Sequence, residues 1–203
     1  MVTPAIEKAL SNSDPVMQEI LETIDLPHHQ SSGDVFYDLI TCVLDQQIHY
    51  RSKGVYMKKF VELTHGLLPN PKIIRTIIAE DFAEKKIAGN KYESLQHLAS
   101  YWTENRLDMI DWTGLPEDEV REKLSPIKGV GPWTINMIML YTLQHPDIFD
   151  PNDYQLKKVM KSSYGLDDKN LTKEMSNLAE NWRPYRSYAT RFLLEWGKKQ
   201  QDF

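Results

Sequence analysis

Apolar residues recur along this chain at helical spacing, and nowhere do they alternate over the length of a strand. Ile6 and Leu10, then Val16, Ile20, Leu21 and Ile24, open a short helical pattern. The breakers of residues 26–33 predict a loop after it. From Asp34 onward, Phe36, Leu39, Ile40, Val43 and Leu44 fall on one helical face, and that helix closes in the polar run Asp45-Gln46-Gln47-Ile48-His49. A second helix is predicted from about Ser52 to His65, closed by Gly66 and Pro69. A short one follows within residues 72–88. There Gly89 reads as a helix-ending glycine, and Asn90 as the N-cap of a helix over Lys91–Asn105. Pro116 stands just ahead of a helix whose first turn is acidic (Glu117, Asp118, Glu119), as the helix dipole favours. That helix runs to Leu124 and stops at Ser125-Pro126.

After a glycine turn, a helix from about Pro132 to Leu143 is apolar almost all round, which marks it as central to a core. Further helices are predicted near Asp153–Lys161, Thr172–Asn181 and Arg186–Lys198. With about ten helices and no sheet, the expected class is all-α, as one compact unit or two helical lobes with a cleft between them.

Composition narrows the chemistry. The single cysteine, Cys42, excludes an internal disulfide and any four-cysteine zinc or iron–sulfur site. It sits in the apolar run 39–44 and reads as a buried, inert thiol. His28 and His29, adjacent in a loop without an acidic or cysteine neighbour, read as a solvated turn rather than metal ligands. No apolar run approaches the roughly 18 residues of a membrane span, and the N-terminus lacks a signal core, so a soluble intracellular protein is expected. The net charge of −5 argues mildly against nucleic acid. Within 121–161, however, six Lys/Arg (121, 123, 128, 157, 158, 161) outnumber four acids (122, 147, 150, 153).

Two features in that stretch carry chemistry. In Pro126-Ile127-Lys128-Gly129-Val130-Gly131-Pro132, set between two helices, the glycines allow backbone angles that other residues resist and leave the amides open to an anion. Val130 between them is expected to pack inward and pin the turn. Neither the dinucleotide-binding glycine pattern nor the Walker lysine pattern is present. The second feature is Asp153, twenty positions after Trp133, at the start of a predicted helix. Read alone, it is an N-cap.

The full string Leu124-x-x-Ile127-Lys128-Gly129-Val130-Gly131-Pro132-Trp133-Thr134 with Asp153 resembles the helix–hairpin–helix DNA glycosylases, in particular the DNA-3-methyladenine glycosylase II branch. Leu44-Asp45-Gln46-Gln47-Ile48 is similar to the family's Gln-Gln motif, and Trp182-Arg183-Pro184-Tyr185-Arg186-Ser187-Tyr188-Ala189 to its C-terminal signature. The resemblance covers roughly residues 30–197. It implies one helix–hairpin–helix glycosylase domain over the chain, with the hairpin motif at about 117–143 and no extra N-terminal β domain. It implies a monofunctional glycosylase that releases alkylated purines, chiefly 3-methyladenine, from double-stranded DNA as a monomer. The expected compartment is the cytoplasm of a bacterium or the nucleus of a eukaryote.

By the same resemblance, Asp153 is the catalytic carboxylate, and Gln47, Lys128, Gly129, Val130, Gly131 and Thr134 meet DNA, Gln47 as the wedge. A cationic base should also attract aromatic faces, and Trp133, Tyr154, Tyr185, Tyr188 and Trp196 are the candidates for its pocket, with core packing the alternative for each. Trp133 stands where lyase-active members carry a lysine, so no lyase activity is expected. No metal or cofactor is expected; a structural monovalent cation at the hairpin, bound by backbone carbonyls as in relatives, is left open. Ile135 replaces a frequent alanine, and Met137 and Leu194 stand where some relatives place pocket aromatics, which leaves the lesion range open. The alternatives are a glycosylase for deaminated bases such as hypoxanthine, a non-catalytic hairpin module that reads DNA, and a helical interaction bundle.

Overall fold

The computed structural model describes residues 2–25, 31–46 and 53–200, and among these it contains twelve α-helices and no β-strand. They are α1 (Pro4–Ser13), α2 (Pro15–Thr23), α3 (Val35–Asp45), α4 (Lys53–Leu63), α5 (Pro71–Thr76), α6 (Ala79–Glu84), α7 (Gly89–Glu104), α8 (Glu117–Leu124), α9 (Pro132–Met137), α10 (Tyr154–Tyr164), α11 (Leu171–Glu180) and α12 (Arg186–Gln200). None is long and apolar enough to cross a membrane. The chain divides into a terminal unit, residues 1–30 with 144–203, and a central unit, residues 31–143.

In the terminal unit, α1 and α2 each begin with proline behind a capping side chain, Thr3 and Asp14. One oxygen of Asp14 accepts the amides of Val16 (2.9 Å) and Met17 (3.1 Å). The other accepts the Tyr164 hydroxyl (2.7 Å) and the Trp182 indole N–H (2.8 Å). Asp14 is thus a buried carboxylate with its lone pairs occupied, which is the condition for burying one without a large penalty. Burial, and then the adjacent Asp14 carboxylate, push the Tyr164 phenol above its usual range. Leu10, Met17 and Ile20 close over Val159, Met160 and Phe192 in a shared core.

In the central unit, the predicted apolar face of α3 is buried. Cys42 is half-buried rather than buried, because it lies off the stripe of Leu39, Ile40, Val43 and Leu44. The C-terminal carbonyls of α3 are met by a lysine: Lys91 Nζ donates to Val43 O (2.9 Å), Leu44 O (2.8 Å) and Gln46 O (2.8 Å). Desolvation draws the Lys91 pKa down, with Asp45 acting against it.

The expectation for Gly89 and Asn90 is corrected, since both lie inside α7 and Asn90 caps nothing. The preceding turn is made instead by Lys86, in the left-handed region at φ 54°. Ile87 N bonds Phe82 O (2.9 Å) and Lys86 N bonds Ala83 O (3.0 Å). This is a Schellman closure of α6, with Phe82 and Ile87 as its buried apolar pair. The helix predicted to run regularly to Leu143 also departs from expectation: after α9 it widens into a π-helical turn over Ile138–Thr142, where Leu143 N reaches back to Ile138 O (2.9 Å). Thr142 is held on both its groups there. Its hydroxyl donates to Asp38 Oδ2 (2.6 Å), and its carbonyl accepts from Ser31 Oγ (2.6 Å).

Candidate functional site

The hairpin of the central unit is α8, the turn 125–131 and α9, close to the expected bounds. Ile127 and Val130 are buried anchors of the turn, while Lys128 and Gly129 face solvent. Val130 therefore packs inward, and its amide is spent within the turn on Ile127 O (3.0 Å). Gly129 sits at φ +89°, and a Cβ there would come within 2.7 Å of Ser94 Cβ on α7, so both backbone angle and space require glycine. Gly131 is different: its backbone is extended (φ −93°, ψ 177°) and a Cβ would meet nothing within 4 Å. Among the described residues, no acceptor takes the amides of Gly129 or Gly131. That leaves two polarised N–H groups at a solvent-facing turn, the arrangement that suits an anion.

Neighbouring side chains hold this turn. Gln46, at the end of α3, donates its amide to Gly129 O (2.8 Å) and Thr134 Oγ1 (3.0 Å). His97 Nδ1 on α7 accepts the Lys128 amide (3.0 Å). Arg121 on α8 donates to Asn136 Oδ1 on α9 (2.8 Å), tying the two hairpin helices. Lys128 Nζ also approaches Glu93 (3.4 Å), but both side chains are about two-thirds exposed, so this pair contributes little.

Thr134, expected at the DNA surface, is corrected on the same grounds. It is 1% exposed and its hydroxyl is occupied by Gln46, so it supports the turn from behind. Val130 likewise supports the turn with a buried side chain and a committed amide. Gln47, the expected wedge, lies outside the described residues, as do His28 and His29.

Asp153 belongs to the terminal unit. It is 8% exposed and stands at the N-cap of α10, its Oδ1 accepting the Leu156 amide at 2.7 Å. The bland and the chemical readings of this residue are therefore compatible. One oxygen is fixed by the helix, and that bond sets the direction of the carboxylate. Asp150, also buried, shapes the approach by accepting the Asn152 amide on its side chain (2.9 Å) and the Asp153 amide on its carbonyl (3.1 Å).

Of the expected pocket aromatics, Tyr185 and Tyr188 are half-buried and meet edge-to-face with ring centroids 6.3 Å apart. Tyr154 is 71% exposed, and its ring carries the Lys158 ammonium 5.3 Å from the centroid. Trp133 is half-buried and belongs to the central unit.

Gln46, His97, Ser94 and Lys91 were not singled out by the sequence as parts of the site. In the sequence Gln46 reads only as a member of the Gln-Gln motif, with the role assigned to its neighbour Gln47. The others lie in an ordinary helix, and nothing local marks them.

No protein-family model matches the sequence. Individual relatives do. The chain is 26% identical over 196 residues to the alkylbase DNA glycosidase-like protein mag2 of Schizosaccharomyces pombe, across 93% of this chain and 91% of that one. It is 26% identical over 165 residues to YfjP of Bacillus subtilis, across 78% of this chain but only 58% of the length of YfjP. Among solved structures, the S. pombe 3-methyladenine DNA glycosylase Mag1, in complex with abasic DNA, shares the fold with a TM-score of 0.80 at 21% identity, over 96% of this chain and 97% of that one. In fold and hairpin the chain is similar to the helix–hairpin–helix DNA glycosylases. The S. pombe relative and the solved structure are themselves named for alkylbase and 3-methyladenine glycosylases.

Proposed function

We propose that this chain is a monofunctional DNA glycosylase that hydrolyses the N-glycosidic bond of alkylated purines, chiefly 3-methyladenine, in duplex DNA. The observation that carries the reading is the Asp153 carboxylate, nearly buried and directed by the Leu156 amide at the head of α10. The hairpin supplies the grip: the Gly129 and Gly131 amides take a backbone phosphate, and Lys128 adds charge beside them.

The chemistry follows from the leaving group. A base inside a duplex is out of reach, so the nucleotide is first extruded. An alkylated purine already bears positive charge, and it departs with the electron pair of the C1′–N bond without needing to be protonated. The sugar is left as an oxocarbenium-like cation, which the Asp153 carboxylate stabilises where that charge develops. Water adds its oxygen to C1′ and gives up a proton, completing a hydrolysis. The cationic base also favours aromatic faces. Tyr185 and Tyr188 suit that purpose better than Tyr154, whose ring already carries the Lys158 ammonium and would repel a second cation. With Trp133 where lyases carry an amine, no covalent imine forms.

Base release from methylated duplex DNA by wild type and Asp153→Asn, resolved chromatographically, tests the reading. Release by wild type and its loss in a variant that still binds DNA supports it. Hypoxanthine release from deaminated DNA instead of alkylated purines moves the substrate class. No release at all from a folded wild type leaves a DNA-binding module. Borohydride trapping of a protein–DNA adduct would overturn the monofunctional assignment.

A further inference from the structure

The C-terminal signature around Arg186 makes a set of bonds that base capture does not explain. Apart from contacts of Arg183 (2.7 Å) and Arg186 (3.4 Å) with Glu180, they go to one short stretch, residues 145–148, which leads into the segment bearing Asp153. Arg186 grips Asp147 with a two-pronged pair, Nε to Oδ1 at 2.8 Å and Nη2 to Oδ2 at 3.0 Å. The same Nη2 reaches the Asp147 carbonyl at 2.8 Å. Arg183 Nη1 takes Asp147 Oδ2 from another side at 2.6 Å. Ser187, 4% exposed, accepts the Ile148 amide on its hydroxyl (2.8 Å) and donates that hydroxyl to the His145 carbonyl (2.5 Å). Its own amide donates to Pro146 O (3.0 Å). Every residue from 145 to 148 is thus bonded to the first turn of α12 or the residues just before it.

We infer that Arg186 and Ser187 are positioning residues for Asp153: they anchor the approach strand to α12 so that the carboxylate is fixed from its upstream side as α10 fixes it from downstream. This rests on the glycosylase reading above. The physical case is one of leverage. Asp153 is held downstream by its capping bond to Leu156. Upstream it is separated from the clamp by only Phe149, Asp150, Pro151 and Asn152. Phe149 rests edge-on against the buried Trp182 (5.9 Å) and the Asp150 carbonyl holds the Asp153 amide, so little slack remains between clamp and carboxylate. The choice of arginine fits. A planar guanidinium can hold a carboxylate with two parallel bonds and a carbonyl besides, whereas a lysine ammonium gives a point charge without orientation. Arg186 and Asp147 are both mostly buried, at 16% and 18% side-chain exposure, so this pair is shielded where the Lys128–Glu93 pair is not.

The test separates position from fold. Arg186→Lys and Ser187→Ala are compared with wild type for single-turnover base release at saturating protein, the protein concentration giving half that rate, and the melting temperature. The Leu156 amide resonance serves as a local reporter of the Asp153 carboxylate. Small misplacements of reacting groups are costly, so Arg186→Lys is expected to lower the saturating rate about tenfold or more while half-saturation stays within about twofold. The Leu156 resonance should shift, and Ser187→Ala should do the same to a smaller extent.

Saturating rates equal to wild type in folded variants overturn the inference, and so does a loss that merely follows the fraction unfolded. If Arg186→Lys does not fold, Ser187→Ala decides on the same criteria. Wild-type protein that releases no base at all is a distinct outcome: it overturns the glycosylase reading and the catalytic purpose of the clamp with it.

Discussion

The hairpin turn and the Asp153 segment are both short, irregular stretches leading into a helix, yet they are held by opposite means. The turn at 125–131 offers its backbone, and what meets that backbone is uncharged in kind, a glutamine amide on Gly129 O, a histidine nitrogen on the Lys128 amide and a serine packed against Gly129, while one cation, Arg121, ties α8 to α9 through Asn136. The nearby Lys128–Glu93 pair is exposed and weak. The segment before Asp153 offers a side-chain carboxylate, and its bracing is ionic: Arg183 and Arg186 on Asp147, with Ser187 on the backbone. On the proposed function, the difference follows from the ligand each would meet. A site for phosphate is best built from open amides, because acids beside it would repel the anion. With Glu180 also on both arginines, the cluster holds two cations and two anions and adds no net charge upstream of a carboxylate proposed to act ionised.

The sharpest way to break this comparison is at Asp153 itself. Asparagine caps helices nearly as well as aspartate, so Asp153→Asn should leave the melting temperature close to wild type. Base release should fall by at least about a hundredfold, the scale on which losing one preorganised electrostatic partner acts. Single-turnover rates beside a thermal melt decide between the two roles of the residue.

The two glycines come next. Gly129→Ala puts a side chain at a left-handed position, which costs about 1–2 kcal/mol before the clash with Ser94 is counted, so stability and DNA affinity should fall together. Gly131→Ala meets open space at an ordinary φ and should leave urea stability nearly unchanged while still weakening DNA binding, because the new methyl stands beside an open amide. Equal stability losses in the two variants would contradict the geometry.

Gln46→Ala removes two bonds and leaves Thr134 buried without its donor, so a loss of about 1–3 kcal/mol is expected from a urea titration. DNA affinity should weaken with it, since the carbonyl side of the turn is freed.

The smallest effect belongs to Tyr164, far from either segment in kind. The unfolded phenol ionises near pH 10, whereas burial and Asp14 keep the folded one protonated to higher pH. Above about pH 10 the unfolded state therefore loses a proton that the folded state retains, so the stability tied to this group is fully present below about pH 10 and declines as pH rises from there. Tyr164→Phe should cost about 1 kcal/mol at pH 8. The gap to wild type should narrow at pH 11, as read from denaturation midpoints.

Much of the molecule was legible because it is local. Periodic apolar positions mark α3, and Pro116 with an acidic first turn marks α8, each to within a residue or two of its bounds. The turn at Gly129 and the capping aspartate at 153 are legible for the same reason: backbone angle and cap chemistry are decided by a residue and its near neighbours. Gly89 and Asn90 misled because a glycine is only one way to close a helix. Here Lys86 accepts the left-handed angle, as the Phe82–Ile87 pair compensates for it. The π-helical turn at Ile138–Thr142 was hidden because its composition is that of any buried helix, and Thr142 is held there by Asp38 and Ser31, more than a hundred positions away.

By itself, then, the sequence determined the all-helical class, the glycine turn with its open amides and the aspartate at the head of a helix, because each is a matter of short-range periodicity or backbone geometry. Only the tertiary structure decided which side chains brace them. Gln46 lies 83 residues from Gly129, and Ser187 lies 42 from His145. A hydrogen bond across such a separation is set by how helices pack, and no spacing along the chain encodes it.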